Sequence, residues 1–179
     1  MSDTARTPAE LLAIFADGQA EGSITPQDMR DLIVSVQGSY GGLEINVAEE
    51  TQILTAGTFV KAAGTTNLIV PSNNFSMTEN NRLSYTGTAT RNFLVVAGIS
   101  FTAEADSKTI CFSSAINGVV KTPRVCATIG EGDYTSAVAG VRIVTLSEND
   151  YLELFVTNET STDNITVTQM GYFVVSFFG

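Results

Sequence analysis

Hydrophobic positions recur with two different periods along this chain, and the change falls near residue 44. Before it the spacing is helical. Thr7-Pro8-Ala9-Glu10 sets a hydroxyl at N-cap, proline at N1 and glutamate at N3, a capping box. Leu11, Leu12, Ile14 and Phe15 follow at helical spacing, with Gly18 placed to end the helix. Thr25-Pro26-Gln27-Asp28 opens a second helix in the same way, with Ile24 and Met29 placed for a hydrophobic staple. Met29, Leu32, Ile33 and Val36 form its apolar stripe, and Gly38 ends it.

After Glu44 apolar and polar residues alternate, in short runs divided by Gly, Asn, Asp and Ser. The runs predict strands at 52–60, 66–70, 82–86, 91–101, 108–116, 119–129, 138–146, 151–158, 165–169 and 171–178. Phe93, Val95, Ala97, Ile99 and Phe101 share one face; Leu152, Leu154 and Val156 share another, with Glu153 opposite. Many short strands without intervening helices predict a mainly β fold, a sandwich or jelly roll behind a helical hairpin. The expected division is a hairpin over 1–38, a linker and first strand over 39–57, and a β-sandwich over 58–179. Gly38-Ser-Tyr-Gly-Gly42 reads as a flexible joint.

A hairpin this small cannot bury enough surface to stand alone, so its apolar residues must lean on the β-domain, a sister subunit or a larger assembly. Leu11, Leu12, Phe15, Met29, Leu32, Ile33 and Val36 are therefore its candidate contact residues. The last strand, Tyr172 to Phe178, is apolar on both sides. It is either a central core strand or one buried between subunits, with Tyr172, Val174 and Phe178 as the candidate trimer contacts.

Composition narrows the function. Nine basic residues against nineteen acidic ones give a net charge of -10. That balance repels a phosphate backbone or an anionic membrane, so neither nucleic acid nor membrane insertion is expected. The first residues carry no apolar leader, and the chain is expected to be made in a cytoplasm. With no histidine, Ser-His and Cys-His nucleophilic pairs are impossible. Carboxylates are plentiful, but nothing in their spacing singles out a hydrolytic pair. No cofactor and no enzymatic activity are expected.

Two features invite a ligand reading. Asp17, Gln19, Glu21 and Asp28 fall at ligand positions of an EF-hand-like frame, with Gly22 at its turn. Gln19 is neutral and Asp28 is one carbon short of the bidentate glutamate. Capping explains Asp28 equally well, so the loop is expected to borrow the geometry without the metal. Cys111 and Cys126 are the only cysteines. If Asn117-Gly118 makes a two-residue hairpin turn, Cys111 faces Arg124, and Cys126 is a diagonal neighbour roughly 7–8 Å away. Two buried thiols are expected, not a disulfide.

Three blocks carry a resemblance. Tyr85 to Phe101 is similar to the strand with a central Ala-Gly in C1q/TNF-like jelly rolls. Val144 to Asn158 resembles their Leu-x-x-x-Asp-x-(apolar)-x-Leu segment, with Asp150 at the turn and Asn149 where a glycine is usual. Gly171 to Phe177 resembles their closing strand. The stretch from Leu12 to Ser35 resembles the N-terminal segment of tailed-bacteriophage virion proteins, in which a short helical anchor precedes such a knob. Together these imply a homotrimeric virion-surface protein, either capsid decoration or head fibre, held to other virion proteins by its hairpin. The alternative they imply is a tail fibre that binds a host-surface glycan or receptor.

Overall fold

The computed structural model describes residues 4, 6–16, 23–132 and 134–177. Two helices come first, α1 (Pro8–Ile14) and α2 (Pro26–Val36). Thirteen strands follow among the described residues: β1 (Tyr40–Ala48), β2 (Glu50–Thr51), β3 (Val60–Lys61), β4 (Gly64–Leu68), β5 (Phe75–Glu79), β6 (Arg82–Tyr85), β7 (Arg91–Ala103), β8 (Thr109–Ile116), β9 (Val119–Val120), β10 (Val125–Thr128), β11 (Thr135–Leu146), β12 (Tyr151–Asn158) and β13 (Ile165–Ser176). They make two antiparallel sheets. One runs β11-β7-β13-β1-β4 with β2 beside β13; the other runs β10-β8-β12-β6-β5, with β3 on β12 and β9 on β8.

The core lies between the sheets. The alternation in β7 buries Phe93, Val95, Ala97, Ile99 and Phe101, and β12 contributes Leu152, Leu154 and Val156 to the same cluster. Each of these side chains larger than Ala97 stabilises the fold by roughly 1.5–3 kcal/mol on leaving water. Phe75, Tyr85 and Phe93 meet with ring centroids 5.0–5.4 Å apart. The Tyr85 hydroxyl, buried with them, donates to the Ala89 carbonyl at 2.8 Å. The Asp150 turn forms as the resemblance implies. Asn149 has φ 70°, and the Asp150 carboxylate accepts from the Ser147 amide at 2.7 Å.

The expected flexible joint is instead part of the first strand. Tyr40 to Glu44 pair with β13, and Ser39 is buried, exchanging hydrogen bonds with Ser176. Gly41 and Gly42 answer to close approach and not to flexibility. A Cβ on Gly41 would come within 2.7 Å of Phe75, and one on Gly42 within 2.6 Å of the Tyr172 carbonyl. Most of the expected strand at 52–60 is irregular, β5 was not anticipated, and 165–169 and 171–176 are one strand with a bulge between Val167 and Gln169.

The cysteines are joined as a disulfide, contrary to expectation. The Asn117-Gly118 turn does form, and Ile116 faces Val119. Two extra residues are then accommodated between Lys121 and Val125, after which Phe112 faces Val125 and Cys111 faces Cys126 directly. The excursion turns a diagonal pair into an opposed one.

Glu153 points away from the core as expected, yet it is only 2% exposed. Lys61 at 2.8 Å and Arg82 at 3.0 Å cover its carboxylate. Beside it, β6 leaves β12 before β3 joins, and Asn81 fills the gap. Its side-chain oxygen accepts from the Leu154 amide at 3.0 Å, and its nitrogen donates to the Leu154 carbonyl at 2.8 Å. The amide side chain stands in for a missing strand residue, leaving no backbone group there unpaired.

Candidate assembly interfaces

Both helix caps form as the spacing predicts. Thr7 and Glu10 complete one capping box, Thr25 and Asp28 the other. In α2 the two faces are inverted relative to an ordinary surface helix. Asp31 is 1% exposed and Ser35 is buried, while Met29, Ile33 (54% exposed) and Val36 face solvent. The polar pair is covered by the segment preceding α1. The Asp31 carboxylate accepts from the Thr4 amide at 3.0 Å, from Gln27 at 2.7 Å and from Arg6 Nε at 2.8 Å. Ser35 accepts from the Arg6 amide at 2.6 Å. The Thr4 amide above all, then Gln27 and Arg6, hold the Asp31 carboxyl below its ordinary pKa.

One side chain of the sandwich ties this hairpin down. The guanidinium of Arg91, buried at the start of β7, donates to the carbonyls of Ser35 at 2.7 Å and Gln37 at 3.1 Å. These are carbonyls that the helix end leaves unpaired, and a cation there also suits the helix dipole. The rest of the stripe stays open. Leu12 is exposed with Met29, Ile33 and Val36, while Leu11, Phe15 and Leu32 are half-buried. None of these seven belongs to the sandwich core.

A second apolar surface lies on the outer face of the β11-β7-β13-β1 sheet. Register sets two rows across four strands: Ile143, Leu94, Val175 and Tyr40, then Val141, Val96, Phe173 and Gly42. Ile143 is 66% exposed and Phe173 51%. Gly42 leaves room for Phe173 and Ile69 to lie over the strand, and Ile69, Val70 and Pro71 wall an apolar groove. The surface changes along the strands. Towards the helices it ends at the polar pair Asn92–Thr145, bonded at 2.7 Å. In the other direction it passes into Gly98, Ala139 and Gly171, then Ser100, Ala137 and Gln169.

This face corrects the contact residues expected in β13. Tyr172 and Val174 are buried in the chain's own core, and Phe178 lies outside the described residues. β13 is central, between β7 and β1, and is apolar on both sides, so alternation alone could not say which side points in. Phe173 and Val175 are the outward residues. Of the calcium frame, Asp17, Gln19 and Glu21 lie outside the described residues. Asp28 is engaged by its cap, accepting from the Thr25 amide at 2.8 Å. Among the described residues no group of three or more acidic or cysteine side chains is placed to hold a metal.

No protein-family model matches the chain, and no curated protein sequence does. Solved structures do. Eiger TNF from S. frugiperda aligns with a TM-score of 0.52 at 11% identity, covering 78% of this chain and 92% of that one. Murine APRIL aligns with a TM-score of 0.52 at 8% identity, covering 77% of this chain and 99% of that one. The fold is a TNF-like jelly roll. The likeness extends to the architecture alone.

Proposed function

We propose that the chain is a non-enzymatic structural protein of a tailed-bacteriophage virion. It is a homotrimer whose jelly roll projects from the particle as capsid decoration or head fibre, with its hairpin docked on other virion proteins. The observation that carries this reading is the open stripe of Leu12, Met29, Ile33 and Val36, presented by a hairpin that covers Asp31 and Ser35 instead. Such a surface costs stability in water and is retained where a partner covers it. The resemblance of residues 12–35 to virion anchors supports the kind of partner. The apolar sheet face supports self-association, since a central strand presenting Phe173 and Val175 to solvent needs a cover of its own. The protein is made in the host cytoplasm and works at the virion surface.

Met29→Ser together with Ile33→Ser tests the docking without disturbing the covered face. Full-length and doubly substituted protein are added to particles lacking it, and the particles are sedimented. The substituted protein should stay in the supernatant while its oligomeric state is unchanged. Equal recovery of both in the pellet would move attachment to the jelly roll.

A further inference from the structure

The disulfide joins two residues in very different surroundings. Cys111 on β8 is fully buried, whereas Cys126 on β10 is exposed. β10 is a four-residue strand at the edge of its sheet, with β8 as its sheet partner. Exposed Thr122, Pro123 and Arg124 lead into it. What it covers is substantial. Val125 sits over Gly140 of β11, where an added Cβ would come within 2.6 Å of its methyl. Beneath lies a small cavity lined by Val95, Ala97, Phe112, Ser114 and Arg142. Arg142 donates to the Ser114 and Pro123 carbonyls at 3.1 Å each, spanning the same opening. β10 is thus a flap that closes the sandwich between β8 and β11, held by a four-residue ladder with β8 and by the packing of Val125 and Ala127. Its outward side-chain ties besides the disulfide are weak, an exposed Arg124–Glu159 pair and a Thr109–Thr128 hydroxyl contact.

We propose that Cys111–Cys126 is a redox latch on this flap, closed by thiol–disulfide exchange that enters through Cys126. In closing, the Cys126 thiolate attacks a low-molecular-weight disulfide such as oxidised glutathione. The new bond is Cys126–S–S–glutathione, and one glutathione thiolate leaves. The Cys111 thiol, once deprotonated, then attacks the Cys126 sulfur and expels the second glutathione thiolate. The protein has lost two electrons and one glutathione disulfide has gained them. Opening runs the steps backwards and must expel Cys111 as a thiolate into a site without solvent, which burial disfavours. Exchange is therefore slow once β10 is seated. A chain made in a reducing compartment would keep a loose flap and latch it on reaching an oxidising one.

Reduced and oxidised full-length protein, both in their native state, are treated with trypsin and the cut after Arg124 is followed by mass spectrometry. Cleavage there should be at least about tenfold faster in the reduced form, because it tracks the open population of β10. Equal rates would overturn the latch. The order of entry is read by exposing Cys111→Ser and Cys126→Ser separately to oxidised glutathione under native conditions. A mixed disulfide should form on Cys126 in the first variant and not on Cys111 in the second. Equal modification of the two would contradict entry through Cys126. If either variant fails to fold, alkylation of reduced wild-type protein gives the same comparison, with Cys126 expected to react first.

Discussion

The jelly roll and the hairpin apply opposite rules to the same kinds of residue. In β7, Phe93, Val95, Ala97, Ile99 and Phe101 turn inward, so the sandwich contains the reason for its own stability. In α2 the inward residues are Asp31 and Ser35, while Met29, Ile33 and Val36 face water. The hairpin is fixed by capping boxes, by Arg6 and by Arg91, each worth roughly 1 kcal/mol and none replacing a core. One region is stable by burial and the other is held by hydrogen bonds. The outer sheet face lies between these cases: Val96, Phe173 and Val175 are apolar and exposed, but a complete core lies behind them.

The largest effect should come from the residue pair that contrasts the two sides of one sheet. Phe93→Ala empties core volume and should lower stability by about 3–5 kcal/mol in denaturant unfolding. Phe173→Ala, outward on the neighbouring strand, should leave the unfolding free energy of the isolated subunit nearly unchanged and weaken self-association instead. A comparable loss in both would mean that the outer face belongs to the subunit's own stability.

Next in size is Asp31→Ala, which strips acceptors from Thr4, Arg6 and Gln27. The cost should be about 1–3 kcal/mol. It should be confined to the hairpin, read as faster amide exchange of Thr4 and Arg6 with no change for β7. Acid should do the same to the unaltered protein. Asp31, Glu10 and Asp28 all have carboxyls held below their ordinary values by Thr4, Thr7 and Thr25 respectively as the largest causes. Their contribution is therefore complete above the ordinary carboxylate range, near pH 4, and is lost as pH falls through the lowered values. Protection of the hairpin amides, taken relative to their intrinsic exchange rate at each pH, that fell between pH 7 and 5 would contradict this assignment.

Much of this contrast was legible in the residues. The capping boxes, the inward set of β7, the bounds of β12 and the Asn117-Gly118 turn follow from local chemistry acting on neighbouring positions. What was not legible depends on distant partners. Gly41 and Gly42 read as a joint because the Phe75 ring and the Tyr172 carbonyl that demand them are far along the chain. The two residues inserted before Val125 moved Cys126 opposite Cys111, and no pattern marks such an excursion. The polarity of β13 was undecidable while both of its sides were apolar. Met29, Leu32, Ile33 and Val36 do lie on one helix as their spacing predicts, but that Asp31 is the covered residue of that helix depends on Thr4 and Arg6 folding back.

The smallest expected effect is Ile33→Ser on the isolated protein, within about 0.5 kcal/mol, since an exposed side chain has little burial to lose. A loss above about 1.5 kcal/mol in thermal or denaturant unfolding would show that Ile33 is covered within the chain after all.

The measurement that bears most directly on the account is the mass of the full-length protein by light scattering at micromolar concentration, beside Phe173→Asp. Wild-type protein should have three times the 19.0 kDa mass of one chain. The charged variant should fold with its core signals intact and elute as a single chain, because a carboxylate buried without a partner costs several kcal/mol. A monomeric wild type, or a variant that stays trimeric, would contradict the claim that the outer sheet face is where the subunits meet.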